Sequence, residues 1–127
     1  MTSLTRTTTL PDPRRGEIWM VDFDPTVGDE IQKLRPAVVI SSDGVARLKL
    51  RIVAPITGWK PAFQANYWHV QVPADAHTGL EKPSAVDALQ VRSIAIERFI
   101  RLRGHLSAAL MDEIACAVAL LIEVPPQ

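Results

Sequence analysis

Apolar residues cluster in short segments along the chain, and their spacing predicts six β-strands followed by one helix. The first two predicted strands, Ile18–Phe23 and Pro36–Ile40, lie on either side of a polar segment of roughly ten residues, longer than most connections between strands. The other four predicted strands are Arg51–Ile56, Trp68–Val72, Ala85–Ser93 and Phe99–Leu106. For the fifth predicted strand, a break near Asp87 is an alternative to one continuous strand.

The last apolar segment has the spacing of an amphipathic helix. Ser107 is placed to cap this helix, which is predicted to run to about Glu123. Its apolar positions form two rows, one of Leu110, Ile114, Val118 and Leu121 and the other of Met111, Ala115, Ala119 and Ile122. Because few charged residues interrupt these rows, we expect the helix either to be deeply buried or to pack against a second copy of the chain.

Several short strands and one terminal helix predict a single domain, mainly β with α, in which a small and strongly bent antiparallel barrel packs against the helix. The 127 residues suit one hydrophobic core. We expect this domain at residues 15–124. A Thr-rich leader at residues 1–14 is expected to be disordered, and a short tail at residues 125–127 follows the helix.

Charge and cysteine content exclude several classes of protein. The 14 basic and 14 acidic residues cancel, which argues against a strong non-specific polyanion binder but allows a local basic patch. The single cysteine, Cys116, rules out an intrachain disulfide and a multi-cysteine metal site, and it fits a reducing cytoplasm. No apolar run is long enough to predict a membrane-spanning helix.

Common catalytic motifs are missing from the sequence. The histidines, His69, His77 and His105, have neither the spacing of a metal motif nor a neighbouring nucleophile, so each is expected to be structural or solvated. The sequence contains no Gly-rich phosphate loop and no HExxH or GxSxG motif. Metal-dependent hydrolysis, nucleotide-driven chemistry and serine hydrolysis are therefore disfavoured.

The polar segment between the first two strands is the best candidate for a functional site. It is dense in charge and hinged by Pro25 and Gly28, as binding and catalytic loops often are, although a solvated hairpin loop would have the same composition. Arg35 closes the segment. Because Pro36 restricts Arg35 to an extended conformation, its guanidinium starts a rigid strand from which it can bind a phosphate or a carboxylate.

Thr57 ends the third predicted strand and can meet Arg35 if the second and third strands are neighbours. A guanidinium and a hydroxyl at one point suit the oxygens of a phosphodiester as its phosphorus becomes pentacoordinate. RNA supplies its own nucleophile, the 2′-hydroxyl, so an enzyme with these groups needs no metal-bound water to cut it. The alternative for Thr57 is an ordinary strand-end threonine.

Two further stretches contain residue types that bind nucleic acids. Residues 92–105 carry four arginines against one glutamate, a local basic patch that would face either an RNA backbone or an acidic partner. The aromatic residues Trp59, Phe63 and Tyr67 flank Lys60, an arrangement suited to stacking on bases. Burial in the core is the simpler interpretation for most of these aromatic side chains.

Three motifs together resemble the MazF/PemK family of toxin endoribonucleases. They are RRGEIWMVDFDPTVGDEIQKLRPAVVISSD from Arg14, IVAPIT ending at Thr57, and QVRSI from Gln90. The family opens with an RGDIW-like strand, a DPT-x-G-x-E loop and a Q-x-x-RP-x-VV strand. The resemblance extends from about Arg15 to Val124.

This resemblance implies an SH3-like, PemK/CcdB-like barrel that forms a homodimer and is inhibited by a cognate MazE-like antitoxin. It further implies cleavage of single-stranded RNA at short sequences, without a metal or another cofactor, to give 2′,3′-cyclic phosphate and 5′-hydroxyl ends. The implied catalytic residues are Arg35, Thr57 and Glu30. The implied RNA-binding residues are Asp29, Gln32, Lys33, Gln90 and Arg92. In this hypothesis Arg35 stabilises the phosphorane and protonates or orients the leaving oxygen, Thr57 is a second donor, and Glu30 accepts a proton or orients the substrate.

One position departs from the family pattern. The family pattern has an acidic residue directly before the glutamine of the third motif, and this chain has Leu89 there. The plasmid-borne branch has an arginine two residues before that acid, and this chain has Asp87 there. In that branch the acid and the arginine together are assigned proton transfer, so this acid–base pair cannot operate here. Two other interpretations stay open: a CcdB-like toxin of the same fold directed at DNA gyrase, and an inactive barrel that binds nucleic acid without cutting it.

Overall fold

The computed structural model describes residues 10–126, which fold into seven β-strands and one α-helix. The strands are β1 (Glu17–Asp22), β2 (Leu34–Val39), β3 (Leu50–Gly58), β4 (His69–Val72), β5 (Ser84–Asp87), β6 (Arg92–Ala95) and β7 (Phe99–His105), and the helix is α1 (Ala108–Leu121). Short 3₁₀ turns lie at Asp43–Val45, Pro61–Ala65, Ala88–Gln90 and Ile96–Arg98. The predicted mainly β fold with a C-terminal helix is confirmed.

The strands form one antiparallel sheet in the order β4-β5-β3-β2-β1-β7, and β6 pairs with the first half of β3. In the part of the chain that the structure describes, the outer strands β4 and β7 do not pair with each other, so the sheet is open. The central strand β3 pairs with β2 on one side and with β5 and β6 on the other. The start of β2 therefore lies beside the end of β3, and residues from both can form one site.

The fifth predicted strand is divided in two, at the break that the sequence suggests near Asp87. A 3₁₀ turn at Ala88–Gln90 separates β5 from β6, and the carboxylate of Asp87 caps this turn by accepting a hydrogen bond from the backbone N–H of Leu89 at 3.0 Å. Opposite the break, Pro55 lies on β3 between the residues that pair with β6 and those that pair with β5. Proline has no backbone N–H to donate, which suits a position where the ladder is interrupted.

Apolar side chains pack on both faces of the sheet, which explains why β1 and β2 read as nearly continuous apolar runs. One cluster lies between the sheet and α1 and includes Ile18, Val38, Ala54 and Ile56. The other lies on the opposite face and includes Trp19, Ala37, Val39 and Val53. In the second cluster Trp19 packs edge-on against Phe99, with 5.9 Å between the ring centroids.

The helix α1 covers the first cluster with only part of its surface. Ser107 caps it as predicted, its hydroxyl accepting a hydrogen bond from the N–H of Leu110 at 3.2 Å. The residues that contact the core are Met111, Ile114 and Ala117, with Leu110, Val118 and Leu121 beside them. The C-terminal end is not deeply buried, because the side chains of Leu120 and Ile122 are 62% and 69% exposed.

The predicted leader falls largely on residues 1–9, which lie outside the described residues. Residues 10–14 contact the domain: Leu10 packs against the second cluster, and the carbonyl of Pro13 accepts a hydrogen bond from the buried Arg51 at 2.8 Å. The same guanidinium donates to the carbonyls of Ala46, Leu48 and Leu50. Among the described residues, no helix has the length and apolar character to cross a membrane.

Candidate active site

The loop between β1 and β2 is closed at its base by short-range hydrogen bonds. The N–H of Phe23 donates to the carbonyl of Lys33 at 3.0 Å, and the N–H of Lys33 donates to the carboxylate of Asp24 at 2.8 Å. Lys33 has a positive φ of 69°, a conformation that turns the chain back into β2. Arg98, in the 3₁₀ turn directly before β7, supports this base by donating hydrogen bonds to the carbonyls of Asp22 and Asp24 at 3.1 and 2.5 Å.

Within the loop, Glu30 holds a tight turn. One oxygen of its carboxylate accepts a hydrogen bond from the N–H of Val27 at 2.6 Å, and its own N–H donates to the carbonyl of Val27 at 3.3 Å. Gly28 lies between them with a φ of 59°. The carboxylate of Glu30 is therefore engaged in shaping the loop.

A second contact fastens the loop to the turn between β5 and β6. The amide oxygen of Gln90 accepts a hydrogen bond from the N–H of Ile31 at 2.7 Å, and its amide nitrogen donates to the carboxylate of Asp87 at 3.2 Å. Asp87 is only 6% exposed and also lies 3.6 Å from the imidazole of His69. Phe63 stacks on that imidazole with 3.8 Å between ring centroids. This chain of contacts links Phe63, in the segment between β3 and β4, to the loop between β1 and β2.

We expect the Gln90→Ala variant to loosen the loop while the fold is retained. The N–H of Ile31 would lose its acceptor, and a neutral hydrogen bond of this kind contributes about 1 kcal/mol, so hydrogen exchange at Ile31 should accelerate by roughly fivefold. Amide exchange followed by NMR measures this change. Gln71→Ala, on the exposed face of β4, is the matched control, and equal exchange at Ile31 in both variants would contradict the assignment.

Arg35 and Thr57 face one cavity, as expected if their strands are neighbours. Ala37 and Pro55 form the last pair of the β2–β3 ladder, and Arg35 and Thr57 each lie two residues beyond that pair on their strands. The cavity between them has a volume of about 180 Å³. The guanidinium of Arg35 is exposed and steadied by a long hydrogen bond of 3.4 Å from its Nε to the carbonyl of Gln32.

Sequence reasoning missed two charged residues of this cavity as members of the site, and it included a third, Arg103, only in the basic patch at residues 92–105. Glu81 and Lys82 reach it from the segment before β5, and Arg103 reaches it from β7. The guanidinium of Arg103 is fixed by hydrogen bonds of 3.1 and 2.6 Å to the carbonyl of Gly79. With Arg35, the cavity has three cationic side chains and one carboxylate, an excess of positive charge in a protein with no net charge.

A larger cavity of about 430 Å³ adjoins the first one. Pro55 lines the larger cavity and Thr57 lines the smaller one. These two residues share a face of the sheet because they are two apart on β3. The predicted site residues in the larger cavity are Asp29, Glu30, Gln90 and Arg92, and its other lining residues are Phe23, Ile31, Leu89 and Val91. The predicted site residues thus divide between two neighbouring cavities, and Gln32 and Lys33 line neither.

Comparison with known proteins identifies the family. Residues 14–122 match the family described as PemK-like, MazF-like toxin of type II toxin-antitoxin system. The chain belongs to this family. It is 38% identical over 118 residues to Endoribonuclease MazF9 of Mycobacterium tuberculosis (strain ATCC 25618 / H37Rv), covering 87% of this chain and 97% of the relative. It is 31% identical over 102 residues to Endoribonuclease EndoA of Bacillus subtilis (strain 168), covering 80% and 86%.

A solved structure supports the fold of this MazF-like toxin. An endoribonuclease in complex with its cognate antitoxin, from a mycobacterial species, superposes with a TM-score of 0.71 at 17% identity, covering 91% of this chain and 99% of that one. At this identity the likeness concerns the fold alone. Because the two relatives above are named endoribonucleases, the toxin is a member of an endoribonuclease family.

Proposed function

We propose that this toxin cuts single-stranded RNA by attack of a 2′-hydroxyl on the adjacent phosphorus, without a metal ion. The observation that carries the proposal is the meeting of Arg35 and Thr57 in a cavity with an excess of positive charge. Such a cavity suits an anionic phosphodiester. The endoribonuclease names of the relatives point to the same substrate class.

In this reaction the 2′-oxygen bonds to phosphorus as it loses its proton, and the bond from phosphorus to the 5′-oxygen breaks. The 5′-oxygen takes up a proton, which leaves a 2′,3′-cyclic phosphate and a 5′-hydroxyl end. Charge builds on the non-bridging oxygens in the transition state. Arg35 and Thr57 are placed to donate hydrogen bonds to these oxygens, and fixed donors of this kind lower the barrier.

Proton transfer does not use the carboxylate at position 87. Asp87 is buried, its carboxylate accepts hydrogen bonds from Leu89 and Gln90, and it does not line the cavity that Arg35 and Thr57 share. Leu89, in the position that is acidic in the family pattern, is 59% exposed and lines the larger cavity. Within the smaller cavity, Glu81 is the carboxylate present.

The larger cavity is the proposed site for a base next to the cut. Phe23 and Leu89 supply apolar surface, and Asp29 and Arg92 supply polar groups. The guanidinium of Arg92 lies 5.6 Å from the centroid of the Phe23 ring, which orients both side chains. Aromatic and guanidinium planes are common partners for unstacked RNA bases.

The remaining predicted site residues take supporting roles in the proposal. Glu30 and Gln90 hold the loop in shape through their hydrogen bonds to Val27 and Ile31. Gln32 and Lys33, both exposed next to Arg35, are proposed to contact the RNA chain beyond the cavity. None of these roles requires a metal ion, and the described residues contain no group of three or more His, Cys, Asp or Glu side chains that could hold one.

The proposed partners are a second copy of the chain and a MazE-like antitoxin in the cytoplasm. The exposed apolar side chains at the end of α1 favour an additional contact. The structural relative from a mycobacterial species is bound to its cognate antitoxin. An extended acidic segment of such an antitoxin would complement the positive cavity of this toxin and block RNA.

Incubation of the purified protein with a long single-stranded RNA in EDTA tests the proposed function. We expect discrete cuts whose 5′ ends accept phosphate from a polynucleotide kinase without prior phosphatase treatment, because the ends are hydroxyls. Cuts that appear only after Mg²⁺ is added, or ends that already carry a 5′-phosphate, would contradict the mechanism. No cuts in any RNA would favour the gyrase-directed or binding-only alternatives.

A further inference from the structure

Lys82 lies in the same cavity as Arg35 and Thr57, and its position there is defined by Gly58. Gly58 directly follows Thr57 on β3. A methyl group built at Gly58 would lie 3.0 Å from Cε of Lys82 and 3.1 Å from its Nζ. The ammonium of Lys82 is therefore packed against the backbone next to Thr57.

The backbone around Lys82 is held on both sides. Its carbonyl accepts a hydrogen bond from the hydroxyl of Ser84 at 2.8 Å, and Ser84 pairs with Gly58 across β3 and β5. The next carbonyl, that of Pro83, accepts a hydrogen bond from the N–H of Trp59 at 3.1 Å. Lys82 thus starts from an ordered strand edge beside the site.

Upstream of Lys82, a turn fixes how the connection between β4 and β5 packs against β7. The backbone N–H of Thr78 donates to the carboxylate of Asp75 at 2.9 Å, and this hydrogen bond lowers the pKa of Asp75. Gly79 follows, and its carbonyl binds the guanidinium of Arg103. Both ends of the connection that carries Lys82 are therefore anchored.

No hydrogen bond or ion pair engages the ammonium of Lys82 within residues 10–126. Arg103, by contrast, is already committed to the carbonyl of Gly79. Glu81 lines the same cavity but makes no ion pair with Lys82 among the described residues. Of the cations in this cavity, Lys82 and Arg35 are therefore the two whose donors are most available to a ligand.

We propose that Lys82 is a further catalytic residue of this toxin, which binds the non-bridging oxygens of the scissile phosphate together with Arg35. The inference rests on the function proposed above. A phosphodiester carries one negative charge, and a second develops when the deprotonated 2′-oxygen attacks. A second cation therefore stabilises the transition state more than the bound substrate, which is the condition for a catalytic effect.

Single-turnover cleavage by the Lys82→Ala variant tests this role. At saturating RNA we expect the rate constant to fall by about 100-fold, the range seen when one donor to a developing oxyanion is removed. The Kd for the same RNA with a 2′-deoxy nucleotide at the cut, which cannot react, should rise by much less. Lys82→Arg should restore part of the rate, and Lys49→Ala, which removes an equal charge before β3, should leave it unchanged.

Gly58→Ala tests the same contact without changing any charge. The added methyl group meets only the flexible end of Lys82, so the fold should survive while the ammonium shifts. We expect about a tenfold loss of rate in the parent protein and little further loss in a Lys82→Ala background, since residues that act through one contact are not additive. Equal losses from Gly58→Ala in both backgrounds would overturn the placement of Lys82.

The outcomes separate the two proposals. Full activity of Lys82→Ala, beside an active parent protein, overturns the role of Lys82 and leaves the proposed function intact. A rate constant that is unchanged while Kd rises shows that Lys82 serves substrate binding and overturns the catalytic assignment. A parent protein that binds RNA but never cuts it overturns the proposed function and the role of Lys82 with it.

Discussion

Arg35→Ala is expected to remove RNA cleavage and leave the fold intact. The guanidinium is exposed, and its one intramolecular hydrogen bond is a long one of 3.4 Å to the carbonyl of Gln32, so the folded state loses little. The transition state loses a charged donor that lines the same cavity as Thr57. We expect single-turnover rates to fall by about 1,000-fold or more.

The matched control is Arg47→Ala, which removes an exposed guanidinium from the turn before β3. This variant should cut RNA at the parent rate, and both variants should melt within a few degrees of the parent protein. Measurable cleavage at more than one-tenth of the parent rate by a purified, folded Arg35→Ala protein would contradict the assignment of Arg35.

Gly104→Ala is expected to have a large effect on stability. The segment with His77 and Thr78 crosses β7 so closely at Gly104 that a Cβ there would overlap the backbone of both residues. Backbone atoms cannot move aside as a side chain can, so we expect a loss of about 2–4 kcal/mol in the free energy of unfolding. Thermal or urea unfolding measures it.

Gly44→Ala provides the comparison for Gly104→Ala. A Cβ at Gly44 would meet only the hydroxyl of Ser42 at 3.2 Å, in an exposed turn, so this variant should be nearly as stable as the parent. Equal stability of the two variants would show that the backbone crossing at Gly104 is not tight. The crossing matters for function because it leads directly into the segment that carries Lys82.

The strands and the helix could be predicted because burial on both faces of the sheet leaves a strong apolar pattern. The division of the fifth strand was less evident from the pattern. It depends on the carboxylate of Asp87, which caps the Ala88–Gln90 turn while contacting His69 from another strand. Apolar spacing alone does not register such long-range polar contacts.

The candidate site could be predicted only in part, for a similar reason. Arg35 lies at the start of β2 and Thr57 near the end of the neighbouring antiparallel strand β3. Their meeting therefore follows from the order of elements and from the motifs that contain them. Lys82 enters the same cavity from a connection far along the chain, and its place depends on the bare backbone of Gly58. A lysine in a turn-rich connection has no local pattern that distinguishes it from a solvated surface residue.

In the proposed reaction the RNA's own 2′-hydroxyl is the nucleophile, and it attacks within the Arg35–Thr57 cavity. The most direct test compares two RNAs that differ only by a 2′-deoxy nucleotide immediately 5′ of the scissile phosphate, with the parent protein in EDTA. We expect the all-ribose RNA to be cut, and the deoxy-substituted RNA to bind but to stay intact at that phosphate. Cleavage of both RNAs at the same rate would contradict the proposed reaction, because water would then be the attacking group.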